Sequence, residues 1–339
     1  MHIAEARLTR ASSALRYAVL CLLAVNVLPA QAGAEDPRAL IARMNDTLAS
    51  RNYDGVFVHQ IGGRRETLRI IHRVSDGHMS ERLISTDGSG REFIRNGSEW
   101  VAYFPDRKIV VVERRASPGF ISGLHGLGKE AEALYEIRDV QRMRKQGNPV
   151  RLITVTPRDG LRYGYRLWID ETTAMPVKTQ LTSGEAIIEE IAFVSLSMPA
   201  KVDDELLKPE VDTGGFRWLR RDVQDQSRMP RVSFEPRLDL LPAGFHIWQW
   251  KVGNGEAAPG KPRARFIVTD GLAWVSVFIE PADVPTQLSG DGKPRPAEGA
   301  AQMGASAAYT ARVEGHRVTA VGEVPPATVK AIAESVRPE

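Results

Sequence analysis

The sequence predicts a mainly β protein of the α+β class: a large antiparallel β domain, then a smaller α+β domain with one terminal helix. Three observations predict it. Asn52–Glu113 alternates side-chain character in about six short runs, cut by Gly62-Gly63, Asp76-Gly77, Asp87-Gly88 and Asn96-Gly97. Alternating runs resume between Glu136 and Ser195, and again after Phe245. The chain then closes on an apolar stripe at helical spacing. At 339 residues, length also favours two domains, and 42% hydrophobic with 26% charged residues is ordinary globular composition.

The N-terminus reads as a targeting segment. Arg7, Arg10 and Arg16 precede an apolar core from Tyr17 to Val27, which is too short to span a bilayer. Small-x-small sites predict cleavage after Ala32 or Ala34, so residues 1–34 are expected to be removed and the protein exported. Leu20-Cys21 is not a lipobox, because a Leu precedes the Cys and apolar residues continue beyond it. Cys21 is the only cysteine, so the exported chain has no disulfide or thiol chemistry. Cleavage also removes three Arg and one Glu, lowering the net charge from +3 to +1 and with it the support for nucleic-acid binding.

Asp36-Pro37 then supplies an N-cap and a Pro at the first helical position. Leu40, Ile41, Met44 and Leu48 form one stripe of a helix ending near Ser50. The meander follows, and tight turns force its neighbouring strands to pair antiparallel. A sheet that wide curls, and its concave face must be filled. Ser117–Asn148 mixes Gly119, Gly123, Gly126 and Gly128 with Phe120, Ile121, Leu124 and Leu127. That composition predicts a lid or connector tucked against the sheet, with a short helix around Lys129–Tyr135. Gly126-Leu127-Gly128 lacks the Gly-Lys-Ser/Thr ending of a phosphate loop. Runs at Glu136–Arg142, Val150–Thr156, Tyr163–Asp170, Met175–Leu181 and Glu185–Ser195 bring the count to about eleven strands.

The first domain is expected over 35–198, a linker over 199–227 and the second domain over 228–339. In the latter, Phe245–Val252 reads as a strand with Trp248 and Trp250 on one face. Hairpins are expected about Asp270-Gly271 and Glu314-Gly315, and Pro325-Pro326 opens a helix with the stripe Val329, Ile332, Ala333 and Val336. Residues 281–306, rich in Pro, Gly and Ala, read as a mobile excursion.

Catalysis is not written in this chain. It has no Gly-x-Ser-x-Gly elbow, no His-Glu-x-x-His and no nucleophile–base arrangement, so neither an enzyme nor a cofactor is expected. His72 and His78 flank a turn but have no third ligand nearby, and they read as solvated strand residues rather than a metal site. Binding is better represented. Phe57, Trp100, Tyr103, Phe104, Phe120, Leu124, Tyr165 and Trp168 are the candidates for an apolar concavity that takes acyl chains, although each could equally be core. Trp248, Trp250, Arg263, Arg265 and Phe266 are the candidates for a protein-binding surface, since aromatic and Arg side chains dominate interface energetics.

The segments NYDGVFVHQ, ERLISTDGSGREFIRNG, LLPAGF, TDGLAWVSVFIE and EGHRVTAVGEVPPATVKAIAESV resemble those of the MucB/RseB family, in order along nearly the whole exported chain. The resemblance implies an unclosed β-barrel around helices, similar to lipoprotein carriers, followed by a small C-terminal domain. It also implies a partner, the periplasmic region of an RseA/MucA-like anti-sigma factor, which is shielded from site-one proteolysis. Lipopolysaccharide or mislocalised lipoprotein would then release it, so that the family acts in negative regulation of an envelope-stress sigma factor. A homodimer is left open. The competing reading is a periplasmic lipid or lipoprotein carrier or chaperone, which leaves the second domain without a role.

Overall fold

The computed structural model describes residues 35–114, 121, 124, 129–221, 234–236, 240–254, 262–282 and 298–338. Helix α1 (Pro37–Ser50) starts where Asp36 caps it, its carboxylate accepting the Arg38 N–H at 2.7 Å. Its stripe of Leu40, Ile41, Met44 and Leu48 is at most 5% exposed, each side chain contributing about 1.5–3 kcal/mol by burial. A helix this short is held by that packing rather than by its own propensity.

Six strands follow: β1 (Tyr53–Ile61), β2 (Arg64–Ser75), β3 (His78–Ser85), β4 (Glu92–Asn96), β5 (Glu99–Phe104) and β6 (Ile109–Arg114). Gly62 and Gly63 sit at φ 53° and 79°, the left-handed pair that a two-residue hairpin turn needs. Five more complete the run: β7 (Tyr135–Lys145), β8 (Asn148–Pro157), β9 (Gly164–Asp170), β10 (Pro176–Ser183) and β11 (Ala186–Ser197). Strand β11 returns to pair antiparallel with β1, so the two strands distant in sequence meet in mid-sheet. Gly55 makes this possible, because a Cβ there would stand 2.7 Å from the Phe193 ring.

A twelfth strand, β12 (Arg217–Arg221), adds parallel to β6. The sheet runs β12-β6-β5-β4-β3-β2-β1-β11-β10-β9-β8-β7, unclosed, with β12 and β7 at its edges. This corrects the expected linker over 199–227. Arg82, 1% exposed, donates to Glu92 at 2.8 Å and to the Leu206 carbonyl at 3.2 Å, and pairs with Glu210 at 3.1 Å. Val211 and Phe216 pack on Val110 and Val112. Charge and apolar contacts thus strap the segment to the sheet before it joins the edge. The lid expectation is shortened as well. Residues 129–133 form a single 3-10 turn, and the chain from Tyr135 pairs along β8 over its whole length.

The second half begins with β13 (Phe234–Pro236) and continues with β14 (His246–Asn254), β15 (Pro262–Thr269), β16 (Trp274–Pro281), β17 (Gly299–Met303), β18 (Ser306–Val313) and β19 (His316–Gly322). β14 to β19 make an antiparallel sheet in the order β14-β15-β16-β19-β18-β17. Helix α2 (Pro326–Ser335) lays Val329, Ile332 and Ala333, all at 0% exposure, against Phe266, Val268, Val275, Val277, Val318 and Ala320. After it, β20 (Val336–Pro338) pairs with β13. Part of the expected mobile excursion is ordered: β17 and the turn into β18 occupy 299–306, and Ala305 and Ala307 are buried. Residues 283–297 lie outside the described ones. The described residues from Asp36 onward form one compact unit.

Candidate ligand cavity and partner surface

Cross-strand register explains the concave face. One row runs Gly55, Ile70, Leu83, Phe93, Ala102, Val111, Leu219 across β1 to β6 and β12, and in the next Phe57 stands opposite Leu68. At the β1–β3 end this face is a packed core, shared by α1, Phe57, Leu68, Ile70, Leu83, Tyr135, Leu167 and Phe193. Toward the β12 edge it thins: Phe93, Phe104, Ile109 and Val111 are half-buried, and Leu219 is 36% exposed.

The expected aromatic set divides accordingly. Phe57 and Leu124 are buried in this core, and Tyr165 packs against it. The Leu124 carbonyl accepts from Asn45 Nδ2 of α1 at 2.6 Å, which ties it down. Phe104 meets Phe93 edge-on at 6.0 Å. Two members are corrected. Tyr103 packs with Val110 and Val112 on the opposite face. Trp168 also points away from the core, with the Lys178 ammonium 4.8 Å above its ring. Both follow from alternation, since Phe104 and Leu167 next to them take the inward positions. Phe120 lies outside the described residues. Phe193, which tilts against Phe57 at 5.6 Å, is a further aromatic of this core, set inward by the alternation of β11.

Trp100 ends a polar row at the rim of the same face. Tyr53, His72, Glu81, Arg95 and Trp100 lie directly opposite one another across five strands. Tyr53 and His72 stack at 4.4 Å, Glu81 pairs with Arg95 at 3.3 Å, and Arg95 covers Trp100 at 5.3 Å. His72 is therefore no solvated histidine. It is fully buried and donates from Nδ1 to the Arg51 carbonyl at 2.8 Å. Burial, the largest cause, lowers its pKa to about 4. Among the described residues no three His, Cys, Asp or Glu side chains gather to hold a metal.

Leu124 and Ile121 are buried within this apolar core. A cavity of about 190 Å³ adjoins it between Val150, Asp170, Phe193 and Met198. A groove of about 460 Å³ lies where Ile187 and Ile188 face Gln302 and Gly304.

The second half carries the other candidate site, on the sheet face opposite α2. Trp248 and Trp274 are 57% and 43% exposed and meet edge-on at 5.1 Å. Beside them Arg265 covers the ring of Phe278 at 5.3 Å and donates to Ser276 at 3.3 Å. Two expectations are corrected here. Phe266 is completely buried and unavailable to a partner. The register shifts between Ile247 and Gln249, a bulge at Trp248 that breaks the strict alternation behind the expected shared face, and the Trp250 backbone pairs with that of Phe266. The side chains of Trp250 and Arg263 lie outside the described residues. Trp274 and Phe278 were overlooked in the sequence, although Trp274-Ser276-Phe278 alternates plainly with Val275-Val277-Ile279.

This architecture, a broad unclosed sheet on one helix followed by a six-stranded sheet under another, agrees with the family comparisons. The MucB/RseB N-terminal domain model matches residues 36–211, and the MucB/RseB C-terminal domain model matches residues 232–337. The chain belongs to the MucB/RseB family. It is 28% identical to the sigma factor AlgU regulatory protein MucB of Pseudomonas aeruginosa over 95% of this chain and 96% of that one. To the sigma-E factor regulatory protein RseB of Escherichia coli K12 it is 26% identical, over 88% and 90%. Among solved structures, MucB in complex with MucA(peri) superposes with a TM-score of 0.63 at 26% identity, covering 90% of this chain and 99% of that one. MucB alone gives 0.55 at 26%, covering 91% and 99%. These relatives are named as regulatory proteins of sigma factors.

Proposed function

We propose that this MucB/RseB protein is a periplasmic regulator that binds the periplasmic region of an RseA/MucA-like anti-sigma factor. It protects that partner from site-one proteolysis until lipid binding releases it. The observation that carries the reading is the exposed face of Trp248, Trp274, Arg265 and Phe278 on a fully packed sheet. Rigid exposed aromatic and Arg side chains supply contact area at low entropic cost, which is the chemistry of interface hot spots. The relative solved with MucA(peri) supports the partner class.

The lipid arm rests on the concave face. A twelve-carbon acyl chain yields on the order of 10 kcal/mol gross on burial. Displacing Leu124 and Ile121 costs about 1.5–3 kcal/mol each, and association costs about 4–15 kcal/mol. These costs are comparable in size to the gross gain, so occupancy depends on lipid concentration. Lipid that prefers the partner-free conformation then weakens partner binding by the same coupling energy.

The test mixes the mature chain with the periplasmic segment of the anti-sigma factor and its site-one protease, with and without lipopolysaccharide fragments. Protection that the fragments abolish is the expected result. Lipid binding without protection would transfer the protein to the carrier class.

A further inference from the structure

The two halves meet at a charge that neither solvates. The side chains of Arg162 and Asp270 are each 0% exposed and are joined from Nε to Oδ2 at 2.6 Å. The Tyr135 hydroxyl donates to the same oxygen at 2.9 Å. Asp270 Oδ1 accepts the N–H groups of Leu272 at 2.9 Å and Ala273 at 2.7 Å, so both of its oxygens are engaged. Arg162 also donates to Asp159 and to the Ala243 carbonyl, and its guanidinium covers Phe245 at 4.7 Å. Gly244, at φ 82°, is required here, because a Cβ would stand 2.6 Å from Leu134.

The junction touches both candidate sites. The Tyr135 ring is 1% exposed within the apolar core of the first half, and Leu272 reaches into that core from the second. On the other side, the turn that Asp270 holds leads directly to Trp274, one of the two exposed tryptophans. A fully hydrogen-bonded buried ion pair does not deform gradually. Once the phenol moves out of reach, Asp270 loses a donor that no water replaces.

We propose that Tyr135 and Asp270 are positioning residues, through which the packing of the first half's core sets the conformation of the Trp274 turn and hence partner affinity. This deepens the regulator reading and rests on it. Lipid entering the core shifts the Tyr135 ring, the Asp270 turn loosens, and the partner surface loses its order.

Tyr135→Phe tests this, because it keeps the ring and deletes only the hydroxyl. In the ligand-free mature chain, the Leu272 and Ala273 amides should exchange about tenfold faster in the variant while those of α1 and β8 hold their rates. Unchanged exchange at 272 and 273 overturns the positioning role, whatever lipid does. The second measurement is the affinity for the anti-sigma periplasmic segment with and without hexa-acylated lipid A. The native chain should lose affinity about tenfold on lipid addition, and the variant less than about twofold. A purely structural role for the hydroxyl would leave that ratio at its native value and would sink the coupling. A native ratio of one refutes the regulator reading itself and removes the coupling with it, whereas the exchange experiment still reports on the turn.

Discussion

Replacing Asp270 by Ala strands the Arg162 guanidinium in the junction with Asp159, the Ala243 carbonyl and the Phe245 ring left to it among the described residues. The substitution also deletes the acceptor for the Leu272 and Ala273 amides and for the Tyr135 hydroxyl. Breaking one side of a buried ion pair costs about 3–5 kcal/mol, and the surviving Asp159 contact argues for the lower end, about 3 kcal/mol. At about 2–4 °C per kcal/mol, the thermal midpoint should fall by roughly 6–12 °C. Calorimetry on the mature chain is the assay. Because the pair joins the halves, any transitions that resolve should both move. The exposed pair Arg166–Glu185, with Glu185 at 97% exposure, serves as control, and Glu185→Ala should cost about 0–1 kcal/mol. Arg162→Met combined with Asp270→Leu should recover only the part due to the stranded guanidinium, since Leu leaves the Leu272 and Ala273 amides and the Tyr135 hydroxyl without their acceptor. A loss below about 1 kcal/mol for Asp270→Ala would refute the buried junction and the reasoning built on it.

Three further outcomes are expected. Trp248→Ala with Trp274→Ala should weaken binding of the anti-sigma segment by about 2 kcal/mol in a titration while leaving the melting curve nearly in place, because both side chains are largely exposed. His72, held near pKa 4 by burial, takes up its proton more readily when unfolded, so it contributes full stability above about pH 6.5. That contribution falls by about 1.4 kcal/mol per unit as pH drops toward 4, so urea midpoints of His72→Gln should depend less on pH there. His59, raised first by its hydrogen bond to Glu189, works in the opposite direction and is present in both proteins. Leu124→Ala should cost about 2–5 kcal/mol and increase uptake of an apolar fluorescent dye, whereas unchanged uptake would argue that Leu124 does not plug the core.

Local signals were legible and distant ones were not. Turn pairs and alternation located the eleven strands up to Ser197, because both are written within a dozen residues. Strand β12 was missed because Arg217-Trp218-Leu219-Arg220-Arg221 shows no amphipathic period, and its pairing with β6 spans a hundred residues. β17 was missed because all its residues but Met303 are small or polar. The site residues were half legible. Pooling aromatic residues by composition ignored parity: Tyr103 and Phe104 are consecutive, so only one could face inward. The Trp248 bulge leaves no sequence mark. Asp270 read only as a turn residue, since its charge acquires meaning only from Arg162, which is 108 residues away.

The strapping of residues 204–221 to the large sheet fixes how far the halves can ever separate. Only twelve residues, 222–233, connect β12 to β13. Even at full stretch they reach roughly 45 Å. Confined to a sphere of that radius, each half meets the other at an effective concentration in the millimolar range. An opened junction therefore closes by a concentration-independent, intramolecular step. Dilution cannot separate the halves, and only a ligand that prefers the open form can keep them apart.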